Sequence, residues 1–378
     1  MMKSKKIMLL GPSYPYRGGI ADTQNQLALS LKAMGHDVKL LTFRVQYPQW
    51  LFPGKTQYSK EKPPQELSTH RILHSYNPFN WKKVVLNINT EKPDCVIFRY
   101  WTPFLAPCWT FVANGLDHKI TKIGLVDNWI PHETRPWDKF LTLQFAQKMN
   151  GMATLSEAVG HQISNDLSHM PLWSGFHPIS NDFTKKIPKE EARRKLGWPQ
   201  NKKIILFFGL IRKYKGLDLL VDAYGRIAKT HPDSILAIVG EAYENLEKYT
   251  RQIKKLNLED RVICDFNYAN NLKAALVFSA ADIVAQTYKS ATQSGVTPLA
   301  YHFQTPILVT DLPGLKAPIL KDKTGEIVKD DPQEIALKLE HMLDPKANDQ
   351  YILQLKKVHK NYRWDTFVSS LITFLDQL

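Results

Sequence analysis

Four short segments of this chain place chemistry-bearing residues directly after an apolar run. The first is Phe208-Gly209-Leu210-Ile211-Arg212-Lys213-Tyr214-Lys215-Gly216, which follows Ile204–Phe208. An apolar run of that length reads as a buried strand, and Gly216 opens a helical pattern through Leu219, Leu220, Ala223 and Ile227. In open α/β sheets ligands sit beyond the carboxyl ends of strands, and three cations placed there suit a diphosphate. A solvated basic loop is the ordinary alternative. The second segment is Gly240-Glu241, at the end of the run Ile235–Val239. The third, Ser290-Ala291-Thr292-Gln293-Ser294-Gly295, lies between the run Ile283–Ala285 and a helical pattern. Small hydroxyl residues ending in glycine at a helix start suit a phosphate cradle, or else a simple Ser/Thr cap. The fourth is Gly11-Pro12-Ser13-Tyr14-Pro15-Tyr16-Arg17-Gly18-Gly19-Ile20. Its paired glycines let a ligand approach the backbone at a helix start, although a plain tight turn fits as well, and the spacing is not that of G-x-G-x-x-G.

The elements that position these segments alternate along the whole chain. Strands are expected at Lys6–Leu10, Val38–Thr42, Cys95–Phe98, Lys122–Val126 and Met152–Leu155, with helices between them; Gly35 ends the first helix. The stretch from Tyr47 to Pro78, rich in Pro, Gln and Ser, reads mainly as loop. After a charged helical stretch at Lys189–Pro199 the series restarts, with strands at Ile204–Phe208, Ile235–Val239, Val262–Cys264, Ile283–Ala285 and Ile307–Thr310. Alternating β and α segments imply a parallel sheet covered on both faces, and two series imply two doubly wound α/β domains. The chain length of 378 residues, beyond what one core usually holds, agrees. The expected domains are 1–183 and 184–361, with a last helix over 362–378.

Composition narrows the partners. The formal charge is +14, and it divides evenly, +7 in residues 1–184 and +7 in 185–378. Phosphate-bearing ligands, nucleic acid or an anionic membrane surface are the natural partners of such a charge. With no single basic face and no homeodomain, zinc-finger or RNP-like pattern, nucleic acid is set aside. Cys95, Cys108 and Cys264 are scattered and form no C-x-x-C pair, so neither a disulfide framework nor a zinc site is expected, and a reducing, cytoplasmic setting fits. The apolar run Ile7–Leu10 is too short for a signal core, and no segment approaches the roughly 20 apolar residues of a membrane span. Seven of the nine tryptophans lie in the first half. Core filling accounts for them, yet Trp50-Leu51-Phe52, Phe79-Asn80-Trp81-Lys82-Lys83 and Trp101-Thr102-Pro103-Phe104 also read as aromatic and basic tips suited to a lipid interface or a sugar surface. The hydrolase patterns G-x-S-x-G and H-E-x-x-H are absent.

Taken in order, these segments resemble the GT-B glycosyltransferases of the retaining group numbered family 4. The resemblance is carried by Gly18-Gly19 after the first strand, by Gly35-His36-Asp37-Val38, and by Arg212 with Lys215-Gly216. It continues through Gly240-Glu241, Ser290–Gly295 leading to Thr305-Pro306-Ile307, Asp311-Leu312-Pro313-Gly314-Leu315, Thr324-Gly325 and the closing Tyr362-Arg363-Trp364-Asp365. It implies two doubly wound Rossmann-like domains facing across a cleft, with the last helix crossing back to the first. It further implies a nucleotide-sugar donor on the second domain and a glycan or lipid-linked acceptor on the first, in surface polysaccharide synthesis. Arg212 and Lys215 would neutralise the donor diphosphate, Ser294 and Gly295 would add N–H donors, and Gly18 and Gly19 would close over the phosphates. Glu241, Tyr268 and Gln293 complete the implied donor set. No Asp-x-Asp occurs, so no metal and no other cofactor is expected.

Three departures accompany the resemblance. The arginine usual after the strand-end glycine is Leu210 here, with Arg212 one turn on. The paired glutamates of the family fall at Ala291 and Leu299. The histidine often found after the fifth strand has its counterpart in Asp127-Asn128-Trp129-Ile130-Pro131-His132-Glu133. Asp127 and His132 are therefore the candidate catalytic groups, against a turn carboxylate and a loop contact as the plain structural readings. Front-face transfer, assisted by the leaving phosphate, is the expected retaining mechanism. The missing glutamates keep two other functions open: a non-catalytic nucleotide-sugar-binding subunit and a GT-B sugar epimerase. The enzyme is expected in the cytoplasm, on the inner face of the membrane if it is peripheral.

Overall fold

The structure is a computed structural model, and it describes residues 4–47, 58, 67–131, 135–179, 184–291 and 294–378. Two compact units divide the chain: 1–178 together with 364–378, and 179–363.

The first unit runs β1 (Lys6–Leu10), α1 (Gly19–Ala33), β2 (Asp37–Val45), β3 (Thr69–His74), α2 (Pro78–Glu91), β4 (Cys95–Tyr100), α3 (Ala106–Gly115), β5 (Thr121–Val126), α4 (Asp138–Ala146), β6 (Gly151–Thr154), α5 (Glu157–Asp166) and β7 (Leu172–Ser174). Its sheet has the order β3-β2-β1-β4-β5-β6-β7 among the described residues, and its ladders are parallel. Ile7 to Leu10 are fully buried, as a strand covered on both faces requires. The stretch expected to be mainly loop holds an edge strand, β3. Its pairing to β2 carries register shifts, and its residues Thr-His-Arg-Ile-Leu-His bury only Leu73 fully, so no apolar run announces it.

The second unit runs α6 (Lys189–Leu196), β8 (Lys203–Phe208), α7 (Leu217–Ile227), β9 (Ser234–Val239), α8 (Glu247–Lys255), β10 (Val262–Asp265), α9 (Asn271–Ala280), β11 (Ile283–Gln286), α10 (Val296–His302), β12 (Ile307–Thr310), α11 (Pro313–Asp322), β13 (Gly325–Val328), α12 (Pro332–Leu343) and α13 (Pro345–Val358). Its parallel sheet has the order β10-β9-β8-β11-β12-β13 among the described residues. Strand order reverses direction between β1 and β4 in one unit and between β8 and β11 in the other, which marks the switch points where ligands bind.

The last helix, α14 (Trp364–Leu375), belongs to the first unit. Trp364, Phe367, Val368, Leu371, Ile372 and Leu375 recur at helical spacing and share one core with Ile7, Leu9, Leu27, Leu31 and Ile97. Among the described residues no helix is long and apolar enough to cross a membrane.

The tryptophans largely fill the core. Trp109 and Trp129 are buried, and Trp81 points inward to donate from Nε1 to the His74 carbonyl at 2.8 Å. The tip read at 79–83 is therefore made by Phe79, which is 84% exposed, and not by Trp81. Trp101 is half-buried and donates to the Tyr47 hydroxyl at 2.8 Å. The tip at 50–52 lies outside the described residues.

Candidate functional site

In the second unit the carboxyl ends of β8, β9 and β11 converge. Gly209 leaves β8 with a φ of 101°, and the Ile211 amide donates to the Glu241 carbonyl at 2.8 Å, tying the first loop to the Gly240-Glu241 turn. Arg212 stays exposed, with its guanidinium 4.9 Å from the centre of the Tyr243 ring. The chain then turns through 213–215 into α7. Gly216, at φ 64°, makes that turn; a Cβ there would stand 1.8 Å from the Thr287 carbonyl oxygen, so no other residue fits without moving the strand end. Thr287 Oγ1 donates to the Gly216 carbonyl at 2.9 Å and locks the same junction.

This turn carries Lys215 inward. Lys215 is only 8% exposed, and among the described residues it has no carboxylate partner. Its Nζ lies 5.3 Å from the centre of the buried Tyr288 ring and 2.8 Å from where a Gly209 Cβ would be. The Tyr288 hydroxyl is 3.3 Å from Ser294 Oγ. Burial first, and the nearby Arg212 charge second, pull the Lys215 ammonium down to about 8. The expected donor residues Arg212, Lys215, Glu241 and Ser294 are thus linked through one set of strand ends. Gly295 follows Ser294 with open space at its Cα. Tyr268 sits on the exposed loop after β10, 71% exposed. Gln293 lies outside the described residues.

The first unit builds a different switch point. Gly18, at φ 112°, and Gly19 start α1, and a Cβ on either would meet nothing within 4 Å, so the backbone is open. Asp127 stands directly after β5, as expected, but it is 3% exposed and its carboxylate is engaged by Arg99. Arg99 Nε and Nη2 donate to the two carboxylate oxygens, each at 2.6 Å, and Nη2 also donates to Thr23 Oγ1 at 2.9 Å. This geometry favours the structural reading of Asp127 over that of a carboxylate free to take a proton. The third guanidinium nitrogen, Nη1, is buried without a hydrogen-bond partner, and so are both amide atoms of Gln24 on α1. His177 is close enough to feel both charges; burial first holds its imidazole below the ordinary range, Asp127 raises it and Arg99 lowers it. His132 lies outside the described residues.

Arg99, Gln24 and His177 were missed in the sequence. The available signal was a single arginine inside the otherwise apolar strand Cys95–Tyr100, because a charge in a central strand must be paired.

Comparison with known proteins agrees with this architecture. Residues 188–357 match the family model of glycosyl transferases group 1. A D-inositol 3-phosphate glycosyltransferase of Corynebacterium aurimucosum is 29% identical over 161 residues, which is 41% of this chain and 38% of that protein. The chain thus spans well under two thirds of that relative's length. The putative colanic acid biosynthesis glycosyl transferase WcaI of Escherichia coli is 26% identical over 300 residues, 67% of this chain and 70% of that protein. Among solved structures, HepE of Anabaena in complex with UDP superposes with a TM-score of 0.75 at 16% identity, covering 99% of this chain and 100% of that one. Two parallel sheets with these strand orders lead to one assignment: the chain has the GT-B fold, and residues 188–357, most of the second unit, match the glycosyl transferases group 1.

Proposed function

We propose that the chain is a retaining glycosyltransferase that moves a hexosyl group from a nucleoside-diphosphate-sugar to a glycan or lipid-linked acceptor in surface polysaccharide synthesis. The observation that carries the reading is Lys215. A buried ammonium without a counter-charge is unfavourable, and a diphosphate beyond the end of β8 supplies that charge. Arg212 adds a second cation on the same turn. These two residues neutralise the leaving diphosphate as its charge grows, without a bridging metal. Electrostatic stabilisation of this kind usually contributes more to the rate than any other single effect. Ser294 and Gly295 hold the phosphates from the β11 side, and Gly18 and Gly19 belong to the same donor set. Tyr268, Glu241 and Gln293 bind the rest of the donor.

The acceptor falls to the first unit, where the Arg99–Asp127 pair and Gln24 offer polar groups of no net charge. These groups are buried, with Arg99 Nη1 and the Gln24 amide left without partners, and neutral polar groups of that kind suit sugar hydroxyls better than a second phosphate. Of the two candidate catalytic side chains, His132 remains the one proposed to exchange a proton, and Asp127, held by Arg99, is proposed to position the site instead. The kinship to a colanic acid biosynthesis protein supports a glycan product, and the HepE–UDP complex makes UDP-sugars the first donors to try. The protein is proposed to work in the cytoplasm at the membrane surface.

The test is a screen of UDP-, GDP-, ADP- and CMP-sugars by thermal shift, followed by turnover with the stabilising donor in the presence of chelator. A glycoside product with the donor's anomeric configuration supports the reading. Tight nucleotide binding with no transfer to any acceptor would make the chain a nucleotide-sugar-binding subunit, and loss of turnover in chelator would overturn metal independence.

A further inference from the structure

A second concentration of basic groups lies in the first unit, at the edge of its sheet. Residues 67–90 contain no acidic side chain but include His70, Arg71, His74, Lys82 and Lys83. β2 ends in Arg44-Val45, β3 ends in His74, and α2 begins at Pro78, so these three elements meet at the carboxyl end of the sheet. A pocket of about 290 Å³ lies there, lined by Arg44, His74, Asn77, Phe79, Asn80 and Lys83 along with Val45.

The walls are held rigidly. Asn80 Oδ1 accepts from the His74 amide at 2.8 Å while its Nδ2 donates to the Ile72 carbonyl at 2.9 Å, and Trp81 Nε1 donates to the His74 carbonyl at 2.8 Å. Arg44 and Lys83 are exposed and form no ion pair among the described residues. His74 Nδ1 is buried without a hydrogen-bond partner. Burial first, and the Arg44 charge second, hold the His74 imidazole below its ordinary range, so the pocket's charge comes from Arg44 and Lys83.

The rim differs from that of an ordinary solute site. On α2, Trp81, Val84 and Ile88 face the core, and the opposite stripe carries Phe79, Lys82, Lys83 and Leu86. Phe79 is 84% exposed and Leu86 67% exposed. Two large apolar side chains spaced two turns apart, with lysines between them, form a surface that gains by entering an acyl boundary while its cations meet anionic headgroups.

We propose that this pocket binds the phosphate of an anionic lipid headgroup, with Phe79 and Leu86 seated among the acyl chains beside it. Arg44 and Lys83 pair with the phosphate oxygens, and Asn77 and His74 offer hydrogen bonds. The site is built from residues of the first unit, none of them shared with the Arg212–Lys215 turn. It gives a physical basis to the membrane-side part of the function proposed above and rests on that part.

The experiment is sedimentation of the full chain with vesicles of phosphatidylglycerol and phosphatidylcholine, against vesicles of phosphatidylcholine alone, in parallel with binding of glycerol 3-phosphate followed by NMR. The expected result is binding to the anionic vesicles that falls at least about tenfold in the Arg44→Glu, Lys83→Glu double variant. Phe79→Ser with Leu86→Ser is expected to weaken vesicle binding several-fold while leaving glycerol 3-phosphate binding unchanged. Binding of glycerol 3-phosphate without vesicle binding overturns the membrane assignment. Vesicle binding that is unchanged in the charge-reversed variant, or no binding to either probe, overturns the site. UDP affinity measured on the same variants separates this proposal from the donor reading: it is expected to stay at the wild-type value, and a protein that binds UDP without binding vesicles keeps the transferase reading while this one falls.

Discussion

The two units share a parallel sheet, a strand-order reversal and a glycine-bearing loop after the first strand of each, yet their switch points have opposite electrostatics. In the first, the buried cation Arg99 is matched by Asp127 at 2.6 Å. In the second, the buried cation Lys215 has no carboxylate partner among the described residues, and Arg212, whose charge lowers its pKa, has the same sign. One fold therefore supports a self-neutralised polar site and an uncompensated cationic one. Where the counter-charge sits in the chain, the cation belongs to the architecture; where it is missing, the cation is the one proposed to meet a bound anion.

The largest effect that would break this contrast is on stability. Asp127→Ala leaves Arg99 buried and unpaired, and the expected loss is about 3–5 kcal/mol in urea denaturation. Replacing both partners by leucine is expected to restore most of that loss, because no charge is then left buried. A mild effect of Asp127→Ala would mean that water or another group compensates Arg99.

Lys215→Met should behave in the opposite sense. Removing a buried charge that lacks a partner leaves stability unchanged or raises it, while nucleoside diphosphate affinity falls by about 2 kcal/mol, more than tenfold, by calorimetry. Lower stability with intact affinity would reverse the roles assigned to the two buried cations.

pH sharpens the same point. A bound diphosphate raises the pKa of Lys215 from about 8, so binding takes up a proton once the free protein has lost it. Affinity should be flat below about pH 8 and fall above it, by about tenfold one unit higher. A profile flat to about pH 9.5 would remove Lys215 from the diphosphate contact.

Arg212→Ala is expected to have the smallest effect, a loss of about 1 kcal/mol that shrinks with added salt, because its guanidinium is exposed. Losing its charge should also move the break in the pH profile upward, since Arg212 is one of the two causes that lower the Lys215 pKa.

Much of the fold was legible because parallel strands buried on both faces must be apolar along their length. Lys6–Leu10, Ile204–Phe208 and Ile235–Val239 announce themselves in this way. β3 did not, since an edge strand with one wet face needs no such run. The cationic turn after β8 was legible for a related reason: the cations, the glycine and the strand are contiguous in sequence. The Arg99–Asp127 cluster was not, because Gln24, Arg99, Asp127 and His177 come from four separate segments, and no spacing along the chain records that they meet.

The amino-acid sequence by itself determined two α/β series and a cationic turn after β8; that the C-terminal helix joins the first unit came from the resemblance and is seen in the shared core. Local hydrophobic periodicity and the turn chemistry of glycine are enough for the series and the turn, since both act between near neighbours. Only the tertiary structure decided which cations are matched. It placed Asp127 against Arg99, set Lys215 beside Tyr288 with no carboxylate among the described residues, and turned Trp81 inward with Phe79 outward. Charge pairing and burial depend on distances across the fold, and the sequence order of the residues does not carry those distances.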